Sequence, residues 1–124
     1  MIYADTDFFL ALFKKEDWLK SNANKIHKEY KGKIETSIVT LIELALIEKK
    51  FNLDLEIIIA SIFELSNVQG LTIEEGMEIA HLIKDENVGV FDSFHAVLSS
   101  GKTIVSSERV YDRLGKTRIK LESK

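Results

Sequence analysis

Apolar and polar residues follow two different periods along the chain. Short, mainly apolar runs predict five strands, at residues 1–5, 33–36, 68–71, 103–106 and 118–122. Longer stretches with apolar residues at helical spacing predict helices at 6–13, 17–30, 53–65, 72–84, 93–99 and 108–114, and one that begins at Ser37 or Thr40 and ends at Lys50. Strands that alternate with helices pair in parallel and carry helices on both faces. The pattern therefore predicts an α/β fold with three layers, α/β/α, around a central, mostly parallel sheet.

Individual residues sharpen the helix boundaries. Thr72, followed three residues later by Glu75, has the form of a capping box and predicts a helix start. In the second predicted helix, Trp18, Ile26 and Tyr30 fall on roughly one stripe, which predicts a buried face.

Composition indicates an ordinary globular protein in a reducing compartment. The 124 residues suffice for one domain, expected to span residues 1–124, and 45% hydrophobic with 30% charged residues is typical of such domains. The chain has no cysteine, which excludes a disulfide scaffold, a thiolate nucleophile and a cysteine-ligated zinc. No apolar run approaches membrane-spanning length and the N-terminus lacks the pattern of a signal peptide, so we expect a cytoplasmic protein with no membrane partner.

The charge balance bears on nucleic-acid binding. A net charge of −3 gives no general attraction for nucleic acid, so any contact must use a local basic surface. Lysines do cluster, for example Lys14 with Lys15, although a solvated helix face explains any single cluster as well.

Four acidic residues carry most of the chemical information. Asp5, Glu43 and Asp92 each interrupt or end an apolar run, and Glu108 follows the strand predicted at 103–106. A carboxylate beside a core segment is costly unless something compensates it. Functional residues of open parallel sheets gather at the carboxyl ends of the strands, and a shared divalent cation is the simplest compensator there. The pattern favours metal-assisted cleavage of a phosphodiester.

Each acid also has a purely structural interpretation. Asp5 and Asp92 could cap helices, and Glu108 could be a favourable charge in a first helical turn. Glu43 could close a capping box with Thr40. If the helix begins earlier, Glu43 instead lies in mid-helix among apolar neighbours and needs a distant partner, which favours a functional role.

Neighbouring residues extend the candidate site. Asp7 lies two residues after Asp5, and two close carboxylates repel each other unless a cation separates them. Asp112 follows Glu108 at helical spacing and could share or replace its role. We interpret His95 as a packed or supporting group rather than a ligand. No histidine spacing typical of a zinc site occurs, so we do not expect zinc.

Short segments stand in the chain in a specific order. They are IYADTD at 2–7, TS at 36–37 with EL at 43–44, FDSFHA at 91–96, IVSSE at 104–108 and YDRL at 111–114. In this order and at these separations the chain resembles the PIN domain over its whole length, and within that family the small VapC-type toxin ribonucleases. The resemblance implies a parallel sheet flanked by helices, an acidic pocket with one or two Mg²⁺ or Mn²⁺ ions, and endoribonuclease activity. It also implies homodimers and an antitoxin encoded alongside.

The resemblance assigns roles by position. Asp5, Glu43 and Asp92 match the family's three principal acids, whereas Glu108 falls where the family usually has Asp. The implied supporting residues are Thr6 and Ser106, which match the usual hydroxyl residues, with Asp7 (at a position where Asn or Ser is common) and Asp112.

These roles give a mechanistic hypothesis. Asp5 and Asp92 bind a first metal ion, Glu43 completes its sphere or holds a coordinating water, and Glu108 supports a weaker second ion, with Asp112 as its possible partner. Lys14 and Lys15 hold the RNA backbone.

Two rival functions stay open at this point. A PIN-like scaffold without catalysis, which binds RNA or a protein, is favoured by the Glu108 departure and by the acidic net charge. A phospho-acceptor signalling domain would use Asp5 and Asp7 as an acidic metal pair, but its acceptor Asp should end a central strand, and Asp54 falls in a helical stretch.

Overall fold

The computed structural model describes residues 1–122 and contains a five-stranded sheet whose paired strands are all parallel. The strands are β1 (Ile2–Ala4), β2 (Ile34–Ser37), β3 (Asn67–Gln69), β4 (Thr103–Ser106) and β5 (Arg118–Lys120). The helices are α1 (Thr6–Phe13), α2 (Lys20–Glu29), α3 (Ile38–Ile47), α4 (Leu55–Leu65), α5 (Ile73–Lys84), α6 (Val90–Leu98) and α7 (Val110–Arg113). The predicted α/β class is confirmed. None of the helices within residues 1–122 combines the length and apolar character needed to cross a bilayer.

The strand order places a crevice beside β1. The order across the sheet is β3-β2-β1-β4-β5, so the chain first builds outward from β1 to β3 and then returns to add β4 and β5 on the other side. Open parallel sheets form binding crevices where the order reverses, outside the carboxyl ends of the strands. Here that point lies between β1, which is followed by Asp5, and β4, which ends at Ser106.

Both faces of the sheet are buried, which makes three layers. On β1, Ile2 and Ala4 belong to one hydrophobic cluster with α1, α2 and α4, whereas Tyr3 belongs to a second cluster with α6 and α7. On β4, Val105 joins the first cluster and Ile104 the second. Since successive side chains of a strand point to opposite faces, these clusters are the two interfaces between the sheet and its helix layers.

The helix starts settle the alternatives that the sequence left open. Ser37 caps α3, because its Oγ accepts the backbone N–H of Val39 at 3.3 Å. The helix therefore starts too early for a Thr40 capping box, and Glu43 lies in mid-helix. The interpretation of Asp92 as a cap is wrong: α6 begins at Val90 and Asp92 lies within its first turn.

Two further predictions near helix starts have opposite outcomes. The Thr72 capping box is confirmed, because Thr72 N–H donates to Glu75 Oε1 at 2.8 Å and Glu75 N–H donates to Thr72 Oγ1 at 3.2 Å. The buried role of Trp18 is wrong. Asp17 Oδ1 accepts the Leu19 N–H at 2.8 Å in a turn that delays α2 to Lys20, and Trp18 is left 78% exposed.

Candidate functional site

Asp5 lies at the bottom of the crevice, where β1 becomes α1. It caps α1, and its Oδ1 accepts the Thr6 N–H at 2.6 Å. Its Oδ2 accepts the hydroxyl of Ser106 at 2.8 Å and that of Tyr111 at 3.2 Å. Asp5 is only 4% exposed, so these donors replace the water that the carboxylate loses on burial. The predicted support of Asp5 by Ser106 is thus a direct hydrogen bond.

Glu43 reaches the same place from the middle of α3. Its Oε1 accepts the Thr6 hydroxyl at 2.5 Å and lies 3.0 Å from His95 Nε2. The distant partner that a mid-helix Glu requires is therefore provided by α1 and α6 together. Glu43 remains half-buried, so its carboxylate borders both the polar cluster and solvent.

His95 stands between the carboxylates and is 1% exposed. Its Nε2 lies 3.2 Å from Asp5 Oδ1, and its Nδ1 lies 2.7 Å from the hydroxyl of Tyr3. Burial lowers the pKa of His95, but the charges of Asp5 and Glu43 outweigh it, and the pKa is raised overall. The imidazole is therefore part of the charge balance of the site.

Asp92 joins the cluster through a shared hydroxyl. Tyr111 donates to Asp5 Oδ2 and also lies 3.5 Å from Asp92 Oδ1, so one buried phenol stands between two acids. Burial and the charge of Asp5 raise the pKa of Asp92, and burial beside the same acids raises that of Tyr111 well above its ordinary value. Tyr111 therefore keeps its proton and acts as a donor.

Asp7 faces the segment after β4. Its Oδ2 accepts the backbone N–H of Ser107 at 2.8 Å and also accepts the hydroxyl of that residue. Within residues 1–122, its buried Oδ1 has no hydrogen-bond partner. Burial, with the nearby charge of Asp5, raises the pKa of Asp7 to about 7.

Glu108 and Asp112 lie at the rim and differ in their surroundings. Glu108 N–H donates to Ser106 Oγ at 2.9 Å while its side chain is exposed, and partial burial and the charge of Asp92 raise its pKa. Asp112 instead pairs with Arg118, which donates through Nε at 3.1 Å and through a terminal nitrogen at 2.8 Å. This contact lowers the pKa of Asp112, so Asp112 is engaged by Arg118 rather than gathered with the other acids.

The two lysines predicted to contact RNA lie just after α1. Lys14 Nζ lies 3.6 Å from Asp17 Oδ2 and 4.4 Å from the centre of the Phe51 ring, whereas Lys15 is exposed. Of these two lysines, Lys14 is paired with Asp17, whereas Lys15 is exposed to solvent.

The donor set fits a divalent cation. Ligand atoms of Asp5, Glu43 and His95 all lie within 4.8 Å of one another, and two are carboxylate oxygens. Such oxygens are the ligands that Mg²⁺ and Mn²⁺ prefer, and an imidazole nitrogen suits the later transition ions. Burial and, after it, repulsion from Asp5 raise the pKa of Asp92, and the charge of a bound cation would offset that repulsion.

The sequence identified the acids but missed their connectors. Tyr3, Tyr111 and Ser37 are buried polar groups of the cluster that were not singled out from the sequence as site residues, whereas His95, interpreted from the sequence as a packed or supporting group, is buried in contact with the acids. One signal was available for Tyr3: it precedes Asp5 by two residues, so strand geometry points it towards the same side. Tyr111 gave no such signal, because its position depends on how α7 packs against α6, and its partner Asp5 is far from it in sequence.

Comparisons with known proteins bear on the fold. No family model matches the sequence, and no curated protein matches it. One matching solved structure is a toxin-antitoxin complex from Klebsiella pneumoniae, with a TM-score of 0.77 and 11% identity over 100% of both chains. Another is VapBC2 from Rickettsia felis bound to a DNA fragment from their promoter, with a TM-score of 0.75 and 13% identity over 97% of this chain and 98% of that chain. The chain therefore has the PIN-like fold of chains in toxin-antitoxin complexes, and the resemblance in its motifs is confirmed at the level of the fold.

Proposed function

We propose that the protein is a divalent-metal-dependent endoribonuclease that hydrolyses RNA phosphodiester bonds, and that it is the toxin of a type II toxin-antitoxin pair. The observation that carries the proposal is the convergence of Asp5 and Glu43, with Asp92 linked to Asp5 through the Tyr111 hydroxyl, at the crevice of a PIN-like sheet. Bringing three carboxylates from separate parts of the chain together is unfavourable because their charges repel and lose water. A bound cation would compensate that cost.

The proposed metal-binding residues are Asp5, Glu43 and Asp92, with Glu108 at the exposed rim for a weaker contact. When bound there, Mg²⁺ or Mn²⁺ would lower the pKa of a water molecule and offset negative charge on the phosphate. Asp7, next to Asp5, adds negative charge that this cation would also offset.

Other residues of the chain hold these acids in place. The hydroxyls of Ser106 and Tyr111 fix one oxygen of Asp5, and Tyr111 couples that acid to Asp92. The Thr6 hydroxyl fixes Glu43. Because each donor is buried or half-buried, the carboxylates are preorganised and need little rearrangement when a phosphate enters.

The proposed partners are RNA, a second copy of the chain and an antitoxin protein. Lys14 and Lys15 would contact the RNA backbone, so binding should weaken as salt rises. One similar structure is a toxin-antitoxin complex and another is VapBC2 bound to a promoter fragment, which supports an antitoxin partner. An exposed apolar stripe on α3, formed by Ile38, Ile42 and Leu46, supports a homodimer. We also propose that the chain is a single domain and that the protein is cytoplasmic.

The test is cleavage of a mixed, structured RNA by purified protein with Mn²⁺, with Mg²⁺ and with a chelator. We expect cleavage only with metal. The Asp92→Asn variant should lose at least about a hundredfold in rate while remaining folded, because it keeps the size of the side chain and removes the charge that the metal requires. The matched control is Asp85→Asn, because Asp85 is an exposed acid on the surface; this variant should retain full activity.

One result would favour the non-catalytic alternative. If folded protein, freed of any bound inhibitor, cleaves no RNA under these conditions, the chain is better explained as a PIN-like scaffold that binds RNA or protein. Cleavage that persists undiminished in Asp92→Asn would place the activity elsewhere or in a contaminant.

A further inference from the structure

The surroundings of His95 Nε2 do not match a simple hydrogen bond. Three oxygen atoms lie close to it: Glu43 Oε1 at 3.0 Å, Asp5 Oδ1 at 3.2 Å and Thr6 Oγ1 at 3.2 Å. A protonated ring nitrogen has one hydrogen and serves one acceptor well. Thr6 also directs its own hydrogen to Glu43, so its oxygen can face the imidazole only with a lone pair. One N–H at Nε2 therefore cannot serve as the hydrogen-bond donor to all three oxygen atoms.

The same distances fit a coordination sphere. Metal-ligand bonds of about 2.1 Å at right angles separate neighbouring ligand atoms by about 3.0 Å. The separations of Nε2 from the carboxylate oxygens of Glu43 and Asp5 are 3.0 Å and 3.2 Å. The nitrogen therefore already stands at the spacing of adjacent ligands from each oxygen, and all three atoms lie within 4.8 Å of one another.

The other ring nitrogen is held as it is in metal-binding histidines. Nδ1 lies 2.7 Å from the Tyr3 hydroxyl, which in turn lies 2.9 Å from Ser37 Oγ. Ser37 accepts the Val39 N–H as the cap of α3, so it can also accept from Tyr3. When a cation displaces the proton of Nε2, this relay lets Nδ1 keep its own proton, and the lone pair of Nε2 then faces the cation between the carboxylates. Histidine ligands are typically oriented by such a partner on the second nitrogen.

We propose that His95 binds the cation of this site directly through Nε2, and that this nitrogen makes the site prefer Mn²⁺ or a later first-row ion to Mg²⁺. Imidazole suits transition ions, whereas Mg²⁺ favours oxygen ligands and keeps its waters. The inference rests on the proposed function only for the presence of a divalent cation in the crevice. It concerns which atoms hold that cation and not what is cleaved.

The direct test is pulsed electron paramagnetic resonance of Mn²⁺ bound to the full chain. We expect coupling of the bound ion to an imidazole nitrogen, and a change of that signal when the protein is made with isotopically labelled histidine. This measurement needs no substitution of a buried residue. Bound Mn²⁺ without nitrogen coupling, or no Mn²⁺ binding at all, would overturn the inference.

Variants then identify the histidine. In His95→Gln we expect the nitrogen coupling to vanish and Mn²⁺ affinity, measured by calorimetry, to fall at least about tenfold, with a much smaller change for Mg²⁺. The matched control is His81→Gln, because His81 is an exposed histidine that also lies beside acids, 2.8 Å from Asp85 and 3.7 Å from Glu86. It should keep both signal and affinity. Loss of the coupling in His81→Gln instead would overturn the assignment.

The outcome is separable from that of the proposed function. Nitrogen-coupled Mn²⁺ in a protein that cleaves no RNA would uphold the ligand and reject the nuclease. RNA cleavage with equal affinity for Mg²⁺ and Mn²⁺, and without nitrogen coupling, would uphold the nuclease and reject the ligand. The Tyr3→Phe variant should weaken Mn²⁺ binding about tenfold while the coupling persists, because it removes the hydroxyl that links Nδ1 to Ser37 and leaves the proposed ligands in place.

Discussion

Asp5 and Asp7 lie on the same turn but differ in how their burial is compensated. Asp5 accepts hydrogen bonds from a backbone N–H and from two hydroxyls, so both of its oxygens have donors. Asp7 concentrates its bonds from Ser107 on Oδ2, while its buried Oδ1 has no partner among residues 1–122. An unmatched buried oxygen on a charged group is among the more destabilising features that a native domain carries.

The Asp7→Asn substitution should therefore stabilise the metal-free protein. The amide keeps an acceptor oxygen for Ser107 and removes both the desolvated charge and its repulsion from Asp5. We expect the free energy of unfolding at neutral pH, measured by urea denaturation with chelator present, to rise by about 1–2 kcal/mol. Exposed Asp85→Asn serves as the control and should change little. A clear loss of stability in Asp7→Asn would mean that the Asp7 charge has a partner that compensates it.

Helices and strands were predictable where a local pattern marks them. The short apolar runs predicted β1 and β4, the spacing of Thr72 and Glu75 predicted a helix start, and the structure confirms these elements. The start of α6 was missed because Gly89 caps it without a side chain, so the sequence carries no cap signal there. The role of Tyr111 was missed for another reason: it depends on the packing of α7 against α6 and on a hydrogen bond to the distant Asp5, which no local pattern encodes.

Arg118 ties three elements together at the rim of the crevice. It starts β5 and donates to the Ser106 carbonyl oxygen at the end of β4 at 2.8 Å. It also donates to Asp112 on α7, at 2.8 Å and 3.1 Å, and to Glu122 at 2.9 Å and 3.0 Å. Its side chain is only 2% exposed, so these charge-assisted bonds are largely shielded from solvent. Arg118 therefore fixes the carboxyl end of β4, where Ser106 donates to Asp5.

The Arg118→Gln variant should lose stability, and more at neutral than at acid pH. Loss of the bonds to Ser106 and to the two acids should lower the free energy of unfolding at pH 7 by about 1–3 kcal/mol. Arg118 lowers the pKa of Asp112 and, after the opposing effect of burial, that of Glu122. Such groups stabilise the fold above their unfolded pKa, and this stabilisation is lost as pH falls through the lowered folded values.

The measurement is urea denaturation of both proteins across pH 2 to 7, with exposed Arg109→Gln as the control. The difference in stability between the parent and Arg118→Gln should shrink at the acid end, where both acids are protonated. A difference that stays constant across this range would mean that Arg118 acts through packing alone.

Across the whole molecule, charge and apolar surface are distributed unevenly. The net charge of −3 includes the acids gathered at the crevice, so RNA, as the proposed substrate, would approach a locally negative site. A bound cation and nearby lysines would both be needed to make that approach favourable. Apolar surface is also exposed, with Ile38 at 42%, Ile42 at 51% and Leu46 at 69%. These three residues recur every four positions and form one stripe on α3, the helix that carries Glu43.

A second copy of the chain is the proposed occupant of this α3 stripe, and Ile42→Glu tests it. A charge at the centre of the stripe should be costly to bury, so the variant should be a monomer at concentrations where the parent is a dimer. Light scattering during size-exclusion chromatography measures the mass directly. Ile57→Glu is the matched control, because Ile57 is similarly exposed, at 63%, but lies on α4. A parent that is a monomer at every concentration, or dissociation caused by Ile57→Glu and not by Ile42→Glu, would contradict the assignment of the dimer interface to α3.

Because Ile42 adjoins Glu43, a dimer formed here would bring the crevices of both copies close to their interface. The monomeric variant should then also bind long RNA more weakly than the parent.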